Sequence, residues 1–295
     1  MKVSIITPSF NQGQFIEKTI RSVLCQDYPD IQYIVVDGLS KDRTRYVLDR
    51  YKDYIDHIII ESDEGQADAL NKGFELATGD ILAYLNSDDV YANQHVISTV
   101  VRYFQASDGD VVYGLRYFIS EEGYFINVYP FRPFNQDIFV WCDYIPQECT
   151  FWTRAIFEKA GAFINRDFDF AMDYELWFRF LEQGAKFLSA AEPFGLFRHY
   201  ANQKSIAQWQ QKGLPEIAQL HKTYNGSDLP EHLMHESFWE YVYGTNSVRN
   251  LNEYNTYHRL WRTFTDFKIK LLENTPIDEW VYHRSLTAKR TSRTG

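Results

Sequence analysis

A chain of 295 residues with 45% hydrophobic, 24% charged and 17% aromatic side chains has material for a sizeable core, and disorder along its whole length is excluded. Thirty basic against 40 acidic side chains give a net charge of −10, which argues against a nucleic-acid binder, since such proteins carry a basic footprint. The imbalance is local: residues 1–205 carry −11 and the last 90 carry +1, so the acidity lies where it could hold a metal.

Val3 to Thr7 is a short β-rich run, and Gln14 to Gln26 follows with Phe15, Ile16, Ile20, Val23 and Leu24 near helical spacing. Tyr33 to Val36 reads as a strand ending in Asp37-Gly38, Asp42 to Tyr51 as a helix and His57 to Ile60 as a strand. Gln66 to Ala77 reads as a helix closed by Gly79 as its C-cap. Ile81 to Leu85 is a strand, Gln94 to Phe104 a helix and Asp110 to Tyr113 a strand. This alternation predicts an α/β fold with parallel strands and helical crossovers. Ligands of such sheets bind outside the carboxyl ends of the strands. Four strand ends carry small polar or acidic groups: Pro8-Ser9-Phe10-Asn11, Asp37-Gly38, Ser62-Asp63-Glu64 and Asn86-Ser87-Asp88-Asp89. They should converge on one rim.

Residues 115–150 are less regular and aromatic, with a hairpin-like stretch from Tyr124 to Tyr129. Arg154 to Ala160 and Met172 to Gln183 read as helices, and residues 206–295 as a helical, aromatic, charge-balanced extension. Cys25, Cys142 and Cys149 are odd in number and lack CxxC spacing, so neither a disulfide framework nor a zinc site is implied and a reducing cytoplasm is expected. The first residues read as a strand rather than a signal peptide, and no apolar run reaches the roughly 18 residues of a membrane span.

Four constellations carry chemistry, and each has a plainer reading. Adjacent carboxylates Asp88 and Asp89 after a buried strand repel each other, which a divalent cation with oxygen ligands would relieve; an Asp-capped turn is the alternative. Asp37 at a strand end could accept from a base or ribose, or simply form a turn before Gly38. Asp68, Asn71 and Lys72 share a helical face near Asp63 and the permissive Gly65, a face that could equally be solvated. Asp173 opens an apolar-periodic helix, where it could cap the helix or act as a general base.

Taken in chain order, these segments resemble the family 2 glycosyltransferases. Ile-Ile-Thr-Pro-Ser-Phe-Asn is similar to that family's first strand and nucleotide-contacting loop, and Val-Val-Asp-Gly carries Asp37 onto its base-contacting aspartate. Asp63-Glu64-Gly65 through Asn71-Lys72-Gly73, Asn86-Ser87-Asp88-Asp89, and Ala171-Met172-Asp173-Tyr174-Glu175-Leu176-Trp177 resemble its later motifs. The resemblance covers about residues 1–205. It implies a GT-A (Rossmann-like) mixed sheet flanked by helices, with residues 1–115 as nucleotide-sugar half, 116–205 as acceptor and catalytic half, and 206–295 as a helical extension. It further implies an inverting transferase dependent on Mg²⁺ or Mn²⁺ at Asp88 and Asp89. Thr7, Pro8, Ser9, Asn11, Asp37, Asp63, Gly65, Asp68, Asn71, Lys72, Asn86 and Asp88 would hold the nucleotide sugar, UDP being the favoured nucleotide. Asp173 would be the base, Arg198, His199 and Lys204 would meet the diphosphate, and Gln147 and Glu148 would face the acceptor.

Three departures from the family pattern stand out: Asn86 occupies a position that is often Asp, Met172 precedes Asp173 where Glu is frequent, and in the stretch Phe197 to Ser205, which resembles an Arg-x-His segment near the phosphates, His199 stands one place early. The acceptor expected is a saccharide or lipid-linked saccharide of cell-surface polysaccharide synthesis. Trp141, Tyr144 and Trp152 are candidates for its wall or for core. A peripheral contact at the inner face of the cell membrane is expected from the C-terminal region, whose final stretch has Arg284, Lys289, Arg290 and Arg293 without an acid; that region could also form a homodimer. A non-catalytic nucleotide-sugar or glycan-binding module on the same fold and a metal-dependent nucleotidyltransferase remain as alternatives. An oxidoreductase reading is poorer, because no GxGxxG follows any strand.

Overall fold

The computed structural model describes residues 1–129 and 132–228. Its first part alternates as the sequence predicts: β1 Val3–Ser9, α1 Ile16–Leu24, β2 Ile31–Asp37, α2 Thr44–Tyr51, β3 His57–Ile60, α3 Gln66–Leu76 and β4 Ile81–Tyr84. Then come β5 Val90–Tyr91, α4 Val96–Ala106, β6 Val111–Ser120, β7 Phe125–Val128, α5 Gln136–Phe139, β8 Thr150–Thr153, α6 Arg154–Lys159, α7 Met172–Glu182, β9 Phe187–His199, α8 Lys204–Ala207 and α9 Leu214–Asn225. A 3₁₀ turn, Gln147–Cys149, precedes β8, and a π-helical turn, Trp209–Gly213, precedes α9.

All nine strands join one mixed sheet in the order β3-β2-β1-β4-β8-β6-β9-β5, with β7 on β6. β1 to β4 are mutually parallel, while β8 runs antiparallel to β4 and β6. The boundary expected between the two halves, at residue 115/116, falls inside β6, so both share that strand. Alternation along β2 explains the layers. Ile34 and Val36 pack with α3, α6 and α7 residues on one face; Tyr33 and Val35 pack with α1, α2 and α4 residues on the other.

Besides β5, β8 and α5, which have no counterpart in the sequence reading, three elements differ from its expectation. Gly79 does not cap α3, whose C-cap is the extended Ala77. Instead a Cβ at Gly79 would lie 2.5 Å from the Ser4 nitrogen, so this glycine lets the chain pass close to β1. The stretch from Tyr124 is a hairpin arm, but its partner is the ten-residue β6. The thirteen-residue β9 has no counterpart in the sequence reading. It pairs in parallel with β6 and antiparallel with β5, and through β5 it delivers residues 197–200 beside Asp88 and Asp89. Of the predicted C-terminal extension, residues 206–228 are largely helical; 229–295 lie outside the described residues, and with them the expected membrane contact. Among the described residues no helix is long and apolar enough to cross a membrane.

Candidate active site

The parallel strands end on one rim, as strand polarity requires, and the rim opens into a cleft of about 1490 Å³. Ser9, Gly38, Asp63 and Asn86, from the ends of β1, β2, β3 and β4, all line it. Gly38 is needed there because a Cβ would collide with the Asp63 carboxylate. Gly65 has φ +111°, a conformation that side chains rarely adopt, and it turns the chain into the start of α3 at the cleft.

The acidic loop after β4 is held from three sides. The Thr19 hydroxyl lies 2.9 and 2.7 Å from the carbonyl oxygens of Ser87 and Asp89. The Arg198 backbone N–H donates to Asp89 Oδ1 at 3.1 Å, and the Tyr200 hydroxyl to Asp88 Oδ2 at 2.8 Å. Burial pushes both carboxyls above the ordinary aspartate range. Asp89 goes well above it, because Asp88 and then Glu148 add like-charge repulsion.

Asn86 belongs to a chain of amides. It accepts from Gln66 Nε2 at 2.7 Å and donates to Gln147 Oε1 at 3.2 Å, while Gln147 Nε2 donates to the Tyr84 carbonyl at 2.7 Å. Lys204 Nζ closes the other end on Gln66 Oε1 at 3.1 Å and is itself paired with Asp169 at 2.6 Å. The relay ties the loop after β4 to the turn before β8.

Across the cleft Asp173 sits in the first turn of α7, following the N-cap Ala171 rather than capping the helix itself. Its Oδ1 accepts from the Tyr174 N–H at 2.9 Å. Burial raises its carboxyl above the ordinary range. Asp143 lines the same cleft, and sequence reasoning passed over it. Burial, and then the Asp173 charge, push its carboxyl well up.

The matches to known proteins agree with this geometry. The model of glycosyl transferase family 2 matches residues 4–168. The chain belongs to this family. An uncharacterised glycosyltransferase of Nostoc is 37% identical over 111 residues, 37% of this chain and 34% of its own. TuaG of Bacillus subtilis, assigned by its name to teichuronic acid biosynthesis, is 43% identical over 90 residues, 30% and 36% of the two chains. The matched regions therefore span about a third of the length of these relatives. Among solved structures, S. aureus TarS in complex with UDP-GlcNAc superposes with a TM-score of 0.61 at 16% identity, covering 87% of this chain and 78% of that one. A mannosyltransferase of Pyrobaculum calidifontis bound to GDP-Man and Mn²⁺ gives 0.58 at 15%, covering 99% and 87%. These two likenesses establish the GT-A-type fold.

Of the residues expected from sequence, Pro8, Ser9, Asp63, Gly65, Asn86, Asp88, Asp89, Gln147, Glu148, Asp173, His199 and Lys204 line the cleft. Others do not. Arg198, expected on a diphosphate, is fully buried, and its guanidinium donates to the carbonyls of Asp88, Ser120 and Glu121 at 3.0, 3.2 and 2.9 Å. Asp37 is fully buried and accepts from the Ser40 N–H and hydroxyl at 3.0 and 2.5 Å. Thr7 accepts from the buried Tyr33 hydroxyl at 3.1 Å. Asn11, at φ +53°, accepts from the Lys41 N–H at 2.9 Å, locking the loops after β1 and β2 together. Asn71 exchanges two hydrogen bonds with the Ile164 backbone, 2.9 and 2.7 Å, and Lys72 pairs with Glu61 and Asp68. Asp68 also pairs with Arg166 at 2.5 Å. Glu148 lines the cleft but is 1% exposed and forms a two-point pair with Arg116, 2.6 and 2.5 Å. Of the aromatic wall, Trp141 and Tyr144 line the cleft, whereas Trp152 is wholly buried in the core.

Among the described residues no three His, Cys, Asp or Glu side chains group around one point to hold a metal. Asp88 and Asp89 nonetheless fit a divalent cation that takes its remaining ligands from a bound diphosphate and water. Asp89 is buried and Asp88 partly so, Asp88 repels Asp89, and both are raised in pKa, a strain that a cation relieves.

Proposed function

We propose that this protein transfers a sugar from a nucleoside-diphosphate sugar, a UDP-sugar first among candidates, to a hydroxyl of a saccharide or lipid-linked saccharide with inversion of configuration. The observation that carries this reading is that two chemically distinct acidic groups line one cleft: the carboxylate pair Asp88–Asp89 and the burial-raised Asp173.

The nucleoside would lie over Pro8, Ser9 and Gly38, with Asp63 and Gly65 at its edge. Asp37 would support it through the turn to Ser40 rather than by direct contact. Asp88 and Asp89 would hold Mg²⁺ or Mn²⁺, which when bound neutralises charge on the departing diphosphate. Lys204 and His199 reach the cleft and complement the same charge. Asp173 takes the proton of the attacking hydroxyl; the new C1–O bond forms as the C1–O bond to the diphosphate breaks on the opposite face, and the nucleoside diphosphate leaves. Gln147, anchored on the Tyr84 carbonyl, borders the acceptor.

Supporting the donor class are UDP-GlcNAc in the TarS complex and GDP-Man with Mn²⁺ in the mannosyltransferase complex. The name of TuaG supports a place in cell-surface polysaccharide synthesis. The test is a thermal-shift panel of UDP, GDP, dTDP and CMP, each with and without Mn²⁺. A ligand that binds only the native state raises the melting temperature by mass action. A metal-dependent shift for one nucleotide, lost in Asp89→Ala, is the expected result. No shift with any nucleotide sinks the reading in favour of a non-catalytic module.

A further inference from the structure

The acceptor side of the cleft has a charge character that the transferase reading leaves unspecified. The first turn of α7 is bolted to the segment leading to Asp143. The Tyr174 hydroxyl donates to the Phe139 carbonyl at 2.7 Å, and the two rings meet edge-on at 5.3 Å. Asp143 follows four residues later and is thereby held in the same cleft as Asp173. Tyr84, which also lines the cleft, feels both: after burial, the charges of Asp173, Asp143, Glu148 and Asp89, in that order, push its hydroxyl up.

The permanent cations lining the cleft among the described residues are Arg116 and Lys204. Each is already held by another carboxylate. Arg116 makes its two-point pair with Glu148 and stacks over Phe197 at 4.3 Å. Lys204 pairs with Asp169. Their fields reach Asp143 and Asp173, yet burial outweighs them and both carboxyls stay raised. His221, which also lines the cleft, has its pKa lowered by burial and adds no permanent cation. Trp141, two residues before Asp143, reaches the same cleft and packs edge-on against His221 at 5.5 Å.

We propose that Asp143 is a specificity residue of the acceptor subsite, which takes an uncharged, hydroxyl-rich sugar and turns away sugars bearing a carboxylate or phosphate beside the attacking hydroxyl. The inference rests on the transferase reading of this cleft. A carboxyl group reads sugar hydroxyls in either protonation state, as acceptor or as donor. The face of Trp141 covers the apolar C–H side of a pyranose. An anionic substituent beside Asp143 and Asp173 would give up its water in a poorly solvated site whose cations, Arg116 and Lys204, are already paired with Glu148 and Asp169, and the ionised fraction of the two carboxyls would repel it.

The experiment uses the full chain with UDP and Mn²⁺ and two matched probe pairs, p-nitrophenyl glucoside with its glucuronide and p-nitrophenyl galactoside with its galacturonide. Binding is followed by saturation-transfer NMR. The uncharged member of at least one pair should bind about tenfold more tightly than its uronate, about 1.4 kcal/mol, and Asp143→Asn should shrink that preference to under about threefold. The idea is overturned by a uronate that binds as well or better, by an unchanged preference in Asp143→Asn, or by failure of every uncharged glycoside to bind. The wild-type preference stands as a test even where the variant does not fold. Loss of the nucleotide-induced thermal shift would sink the transferase reading as well, whereas a nucleotide shift without discrimination sinks this inference alone.

Discussion

Arg198 and Asp89 meet through the backbone: the Arg198 N–H donates to Asp89 Oδ1 at 3.1 Å, while the Arg198 guanidinium turns away to the Asp88, Ser120 and Glu121 carbonyls. An arginine of this kind cross-links two loops from inside the protein. Arg198→Lys, with a single terminal nitrogen, would leave at least one of these three part-buried carbonyls without a donor. We expect a loss of about 3 kcal/mol in urea unfolding, with nucleotide affinity retained in whatever fraction folds. A direct diphosphate contact predicts the reverse, weak nucleotide binding at unchanged stability.

Asp173→Asn keeps the shape of the first turn of α7 and removes the base. Transfer should fall by roughly 10²–10⁴, while the UDP- and Mn²⁺-dependent thermal shift stays within error of wild type. Near-normal turnover would remove Asp173 from the role proposed for it.

The same carboxyls set a pH dependence of stability. Asp143 and Asp173 are raised in the folded protein, mainly by burial. Between the unfolded value of about 3.9 and the raised folded values, the native state binds more protons than the unfolded state. Their contribution is therefore fully favourable below the unfolded value and is lost as pH rises through the folded ones. The metal-free protein should melt at a lower temperature at pH 7 than at pH 5, and Asp143→Asn should flatten that slope. A slope of the opposite sign, or one unaltered in the variant, would contradict the burial of this pair.

The parallel half of the fold was legible because each strand and helix there is a short contiguous run with its own period. The rim was legible because Ser9, Asp63 and Asn86 stand directly after such runs. β9 was not: Glu192-Pro193 and Gly195 interrupt its pattern, and its length is fixed by pairing with β6, 75 residues or more away in sequence. Chain order located Asp88, Asp89 and Asp173, but not the direction of each side chain. Asp37, Asn71, Lys72 and Arg198 all lie in expected segments and spend their polar atoms on the protein itself. Asp143 sits in an aromatic stretch without period, and only the Tyr174–Phe139 contact shows why it reaches the cleft.

Gly73 illustrates the structural share of a motif. A Cβ there would lie 2.5 Å from Ile6 Cγ2 in the closed interface between α3 and β1. Gly73→Ala gains about 1 kcal/mol of helix propensity and loses about 1–3 kcal/mol to overpacking. A net loss of about 1 kcal/mol in chemical denaturation is expected, with the nucleotide-induced thermal shift unaltered. A variant as stable as wild type would mean that Ile6 moves aside freely.

Asn86 is the position where the sequence departs from the more acidic family pattern, and the amide relay explains why the neutral residue suits this chain. Asn86 Nδ2 donates to Gln147 Oε1, and Gln147 cannot turn its amide over without losing the 2.7 Å bond from its Nε2 to the Tyr84 carbonyl. Asn86→Asp would therefore set a carboxylate oxygen against Gln147 Oε1 at about the present 3.2 Å and add a third negative charge beside Asp88 and Asp89. The metal-free variant should lose about 1–3 kcal/mol of stability. Mn²⁺ should restore more of it than it adds to wild type, because the added charge favours the cation. In the double variant Asn86→Asp with Gln147→Glu, a Glu protonated at pH 4–5 regains a donor toward position 86 while giving up the bond to the Tyr84 carbonyl, and an ionised Glu at pH 8 repels it. Melting curves at the two pH values, with and without Mn²⁺, measure this directly. A single variant as stable as wild type without metal would show that the relay does not constrain Asn86.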